Sequence, residues 1–154
     1  MSPLTKKRTA LIVDDDSTLR YVMARIAQHA GYTTVDAHNA KVALESAVTS
    51  LPSVIVSDLL LPDFNGFELC RRLKADARTK PIPIILVTSM YYKSVRNEED
   101  IAAGRKKAKS CGAFALLPRG EALEKLEPML TKLKSSAKKS AAKKLAKKRT
   151  AKQA

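Results

Sequence analysis

Five short aliphatic and β-branched runs recur along the chain, separated by segments whose apolar residues return at helical spacing. The runs are Ala10-Leu-Ile-Val13, Thr33-Thr-Val-Asp-Ala37, Ser53-Val-Ile-Val-Ser57, Ile84-Ile-Leu-Val-Thr88 and Ala113-Phe-Ala-Leu-Leu117. Strands that are apolar on both faces need helices on both sides, which is the pattern of a parallel sheet. Between the runs, Leu19, Val22, Met23, Ile26 and Ala30 mark a helix that Gly31 stops. Asn39 caps a second helix, carrying Val42, Ala43, Ala47 and Val48, before Pro52. A loop with Pro62 and Gly66 leads into a helix through Leu69, Leu73 and Ala77. A fourth helix is predicted from Glu98 to about Lys109, and a fifth from about Glu121, burying Leu123, Leu126, Leu130 and Leu133. The expected fold is α/β: a doubly wound, five-stranded parallel sheet, whose ligand crevice lies at the carboxyl ends of the strands.

Polar residues collect at those ends. Asp14, Asp15 and Asp16 follow the first strand, Asp58 the third, Thr88 ends the fourth and Arg119 follows the fifth. Each has an ordinary structural explanation, since Asp caps helices and Thr favours strands. Their convergence on one sheet edge does not. Carboxylates gathered there repel one another unless a hard cation sits between them, and Mg²⁺ takes oxygen ligands of this kind.

The segments Leu11-Ile-Val-Asp-Asp-Asp-Ser-Thr-Leu-Arg20, Val54-Ile-Val-Ser-Asp-Leu-Leu-Leu-Pro-Asp-Phe-Asn-Gly66, Ile85-Leu-Val-Thr-Ser89 and Gly112-Ala113 resemble the receiver domain of bacterial two-component response regulators. The resemblance covers roughly residues 8–130 and implies a flavodoxin-like receiver fold. It implies that Asp58 accepts a phosphoryl group from a histidine kinase or phosphotransfer protein, and that a downstream protein reads the result. Asp14, Asp15, Asp58 and the backbone carbonyl of Leu60 would hold Mg²⁺, and Thr88 would bond a phosphoryl oxygen. A carboxylate attacks a phosphoryl centre only when the charge between them is neutralised, which a bridging cation does.

Three departures stand out. The family usually ends its fifth strand with an aromatic residue followed by Lys-Pro; this chain has Leu116, then Pro118, Arg119 and Gly120. Arg119 keeps the positive charge, to clamp a phosphoryl oxygen or to pair with Asp58, but a guanidinium fork does not replace an ammonium atom for atom. A trans peptide is expected before Gly120, with Arg119 displaced. The connection from Thr88 to Gly112 is also long, and includes Tyr91, Tyr92 and the basic run Arg105-Lys-Lys-Ala-Lys109. These departures motivate an alternative, a pseudo-receiver that binds partners without phosphorylation. Another alternative is a haloacid-dehalogenase-like phosphatase with Asp14 as nucleophile and Asp16 as acid/base. It lacks a convincing later acidic pair, because Glu98-Glu-Asp100 falls on an exposed helix. The chain is otherwise read as a non-enzyme.

Charge divides the chain in two. Residues 131–154 hold ten Lys or Arg and no acid, so they carry +10 of the total +14. A length of 154 residues suits one domain of roughly 100–150 plus an extension, and the boundary is expected near Lys134: a receiver-like domain over 1–134 and a basic tail over 135–154. With Leu145 as its single large apolar residue, the tail is expected to be disordered, or extended helix at best. Its Ala-Lys-Lys units resemble the tails of linker histones and of lysine-rich nucleoid proteins. DNA or RNA is the leading partner for Lys138, Lys139, Lys143, Lys144, Lys147, Lys148, Arg149 and Lys152, through counterion release without base reading. An anionic membrane surface ranks second and an acidic protein third. No run approaches the ~20 apolar residues of a membrane span, so a cytoplasmic, nucleoid-associated location is expected. Cys70 and Cys111 lack metal-site spacing and read as idle buried thiols.

Overall fold

A computed structural model describes residues 7–88 and 98–152. Its elements are β1 (Thr9–Val13), α1 (Ser17–His29), β2 (Thr33–Ala37), α2 (Ala40–Ser50), β3 (Val54–Asp58), α3 (Gly66–Ala75), β4 (Ile84–Thr88), α4 (Glu98–Ser110), β5 (Ala115–Pro118) and α5 (Arg119–Lys152). The five strands form one sheet in the order β2-β1-β3-β4-β5, with every pairing parallel. Tyr91 and Tyr92 lie outside the described residues.

Alternate strand residues feed two separate cores, because successive side chains point to opposite faces. Leu11, Val13, Ile55, Ile84, Leu86 and Leu116 pack with α2, α3 and α4 residues such as Ala43, Leu69 and Leu73. Ala10, Ile12, Val54, Val56, Ile85, Val87 and Leu117 pack with Met23, Ala27, Leu126 and Leu130 of α1 and α5. The central strands β3 and β4 are buried at every position.

Local chemistry sets the helix ends. Asp16 caps α1 by accepting from the Thr18 and Leu19 N–H groups, Asn39 caps α2 at Val42, and Asn65 caps α3 at Glu68. Gly31 and Gly112 follow α1 and α4 with φ of 94° and 89°. In both turns the glycine N–H and the next N–H reach back to the last helical carbonyls, a conformation a side chain would strain.

Several boundaries differ from the sequence reading, among them the end of α3 at Ala75, which leaves Ala77 exposed in the turn that follows. β5 starts at Ala115 rather than Ala113, because the Schellman turn at Gly112 uses the Ala113 N–H on the Ala108 carbonyl. α5 starts at Arg119 and continues unbroken past Lys134 to Lys152, with exposed Pro128 inside it. Leu123 is a correction. It is 62% exposed, and Ala122 takes the core position on that turn beside Leu126 and Leu130, with Leu133 partly buried. Beyond that point the described side chains at 143–148 are all exposed. A solvated Ala/Lys helix depends on its own propensity and is marginal in water, so this segment agrees with the expectation of an unpacked tail.

Candidate phosphoacceptor site

The doubly wound topology brings the ends of β1, β3 and β4 side by side, and the acids ride on them. Asp14 and Asp58 are 1% and 4% exposed, while Asp15 is exposed. One carboxylate oxygen from each of Asp14, Asp15 and Asp58 lies within 4.8 Å of the others. Thr88, at the end of β4, is buried beside Val87, the register partner of Asp58. Arg119 opens α5 and extends its guanidinium to 3.7 Å from the Asp58 carboxylate. No peptide among the described residues is cis. The displacement expected of Arg119 does not take it out of reach, because its side chain spans the gap.

Hydrogen bonds fix this cluster. The Asp16 N–H donates to Asp14 Oδ1 at 2.9 Å and the Leu60 N–H to Asp58 Oδ1 at 3.3 Å. At Gly66 an added Cβ would stand 3.0 Å from the Asp58 carbonyl oxygen and 3.1 Å from Leu59 Cα. The loop therefore returns against the strand end only where there is no side chain.

Electrostatics make the cluster costly without a cation. Burial pushes the Asp14 carboxyl up to about 7, with the charges of Asp58 and Asp15 adding to it against the Asp16 N–H and Arg119. Burial also raises the Asp58 carboxyl, opposed by the Leu60 N–H and by Arg119. Closely spaced hard oxygen donors with a net negative charge, two of the three carboxylates buried, are the chemistry a divalent cation neutralises, so the donor set fits one.

Two residues that hold the site were not singled out from the sequence. Arg20 donates to the Asp14 carbonyl at 2.7 Å and pairs with Asp36 of β2 at 3.7 Å, pinning the β1–α1 turn. Asp63, in the loop after Asp58, accepts from the N–H groups of Ala40 and Lys41 at 2.9 and 2.8 Å, tying that loop to the start of α2. Arg20 sits four residues after Asp16 and is detectable as a helix-face neighbour of the turn. No local signal pairs Asp63 with α2, more than twenty residues earlier in the chain.

The acid/base role required of Asp16 in a phosphatase is incompatible with its place: it is exposed and spent on capping α1. Cys70 and Cys111 are free and buried, and burial pushes the Cys70 thiol up to about 11. Lys143, Lys144, Lys147 and Lys148 lie far along α5 and are exposed. The side chains of Lys138, Lys139, Arg149 and Lys152 are outside the described set.

Carboxylates gathered at the carboxyl edge of a doubly wound parallel sheet define a site built for a hard cation. The comparisons agree. Residues 10–130 match the response regulator receiver domain family, and the chain belongs to it. The chain is 40% identical over 93 residues to the phosphate regulon transcriptional regulatory protein PhoB of Pseudomonas aeruginosa, covering 60% of this chain and 38% of PhoB. It is 42% identical over 84 residues to histidine kinase P4 of Formosa agariphila, covering 54% of this chain and 6% of the kinase. The receiver domain of a histidine kinase from Syntrophus aciditrophicus superposes with a TM-score of 0.69 at 27% identity, over 84% of this chain and 91% of that one. The chemotaxis regulator CheY4 of Vibrio cholerae shares the fold with a TM-score of 0.66 at 24% identity, over 80% and 98%. The family works in two-component signalling, with phosphorylation and Mg²⁺ as general features. No helix among the described residues is long and apolar enough to cross a membrane.

Proposed function

We propose that this chain is a phosphorylated signalling receiver, in which Asp58 takes a phosphoryl group from a histidine kinase or phosphotransfer protein and a downstream protein responds. The observation that carries this reading is the buried Asp58 carboxylate within 4.8 Å of two further carboxylates and 3.7 Å from Arg119. An Asp58 oxygen forms the new bond to phosphorus as the bond from phosphorus to the donor's imidazole nitrogen breaks. Asp14, Asp15, Asp58 and the Leu60 carbonyl would hold Mg²⁺, which supplies charge neutralisation. Thr88 and Arg119 donate to phosphoryl oxygens, and Arg119 leaves its ion pair to do so. Residues 1–134 form the receiver and 135–154 a basic tail that binds nucleic acid without reading bases. A small acyl-phosphate donor with Mg²⁺ is expected to add one phosphoryl group to the full chain, seen by intact mass. An unlabelled chain would favour the phosphorylation-independent module, for which the Arg119–Asp58 pair speaks. Arg119→Lys is expected to raise labelling or turnover several-fold; no change would mean that Arg119 does not act on the phosphoryl group.

The raised Asp14 carboxyl predicts how Mg²⁺ acts on stability. A carboxyl with a higher pKa in the fold than in the unfolded chain holds its proton more tightly when folded. Between its ordinary 3.8 and about 7, the folded chain therefore binds more protons, and stability falls as pH rises through that window. Mg²⁺ competes with that proton. Thermal melts are expected to show a Mg²⁺-induced rise in Tm on the order of 5 °C at pH 8 and much less at pH 5. Equal shifts at the two pH values would take Asp14 out of the cation site.

A further inference from the structure

One helix, α5, carries both the last core leucines and the first tail lysines. At about 3.6 residues per turn, separations of seven, eleven and four residues fall close to two, three and one whole turns, on one side of a helix. Lys125, Lys132, Lys143 and Lys147 have these separations in order, and all four are exposed. Their row runs about 33 Å along the axis at ~1.5 Å per residue, close to the ~34 Å of one duplex turn.

The body end of the row opens onto a groove of about 670 Å³ between α4 and α5, lined in part by Arg105, Lys109, Lys125 and Phe114. Its one acid, Glu121, accepts from Lys125 at 2.8 Å and from Arg105 at 3.5 Å. Three cations against one carboxylate leave the groove positive, and past Glu127 the chain has no acid at all. Positive charge is therefore continuous from the receiver body onto the tail.

We infer that duplex nucleic acid seats along this whole row, so that the receiver body, through Lys109 of the α4–α5 groove and Lys132 farther along α5, shares the interface with the tail. The inference rests on the nucleic-acid reading of the tail and extends it to the folded domain. A duplex is the occupant that the row favours. It presents one phosphate charge per ~1.7 Å of axis along its full length, so lysines at any register find partners. An acidic protein has to place its carboxylates at matching intervals.

Anisotropy titration of a fluorescent 24-bp DNA duplex with the full chain, from low to high salt, tests this with two variants. Lys109→Gln with Lys132→Gln removes body charges, and Lys143→Gln with Lys147→Gln removes tail charges. Each pair is expected to flatten the plot of log affinity against log salt by about 1.8 and to weaken binding at 0.1 M salt on the order of tenfold. A weakened tail variant beside an unchanged body variant would overturn the inference and leave the tail reading standing. Two unchanged variants would remove both. Displacement of the duplex by poly-glutamate at equal charge would assign the row to an acidic protein instead.

Discussion

Asp58→Asn is expected to abolish phosphoryl labelling and, without divalent cation, to make the chain more heat-stable at neutral pH. The amide oxygen is a far poorer nucleophile than the carboxylate, and no other carboxylate in the cluster occupies the end of β3 between β1 and β4. The gain in stability has a separate cause. Asp58 is buried beside Asp14, and burial raises both carboxyls, so at neutral pH the fold bears repulsion that the unfolded chain does not. Removing one charge relieves its cost of burial and part of that repulsion, offset in part by loss of the Arg119 pair. Intact mass after treatment with a small phosphodonor, and melts in chelator, are the two measurements. Equal labelling of wild type and variant would move the acceptor elsewhere. A less stable variant would mean that the Arg119 pair outweighs the repulsion.

Leu126→Ala should cost about 3 kcal/mol, whereas Leu123→Ala should change stability by less than about 0.5 kcal/mol. Leu126 is fully buried against the β1, β3 and β4 residues of the α1/α5 core, so truncation leaves a cavity lined by side chains that cannot collapse onto it. Leu123, three residues earlier, is 62% exposed. Urea unfolding of the two variants gives the comparison. Similar losses would mean that Leu123 is covered in solution. A small loss at Leu126 would mean that α5 does not anchor the sheet.

The acids and Thr88 were legible as a site because a parallel sheet delivers every strand's carboxyl end to the same edge. Once Val13, Ser57 and Thr88 were recognised as strand residues, the residues at and after those ends had to converge. β1, β3 and β4 were legible for a related reason, since runs buried on both faces contain few polar residues, whereas the half-exposed edge strand β2 shows only its β-branched residues; helix caps such as Asn39 and the turn glycines act locally. Leu123 was misread because helical spacing identifies an apolar stripe but not its width. Ala122, too small to stand out in a sequence, fills the space against the sheet. Asp63 escaped notice because its partners, the N–H groups of Ala40 and Lys41, are backbone atoms whose availability depends on where two loops meet, whereas Arg20 bonds the Asp14 carbonyl within its own turn and was detectable. By itself, then, the sequence determined the layered α/β fold, the acidic edge and the division of charge between body and tail, all of which follow from hydrophobic period and local charge. The tertiary structure alone decided the reach of Arg119 to Asp58 and the Asp63 clamp between the loop after β3 and the start of α2. Those depend on distances between segments remote in sequence, and packing sets such distances.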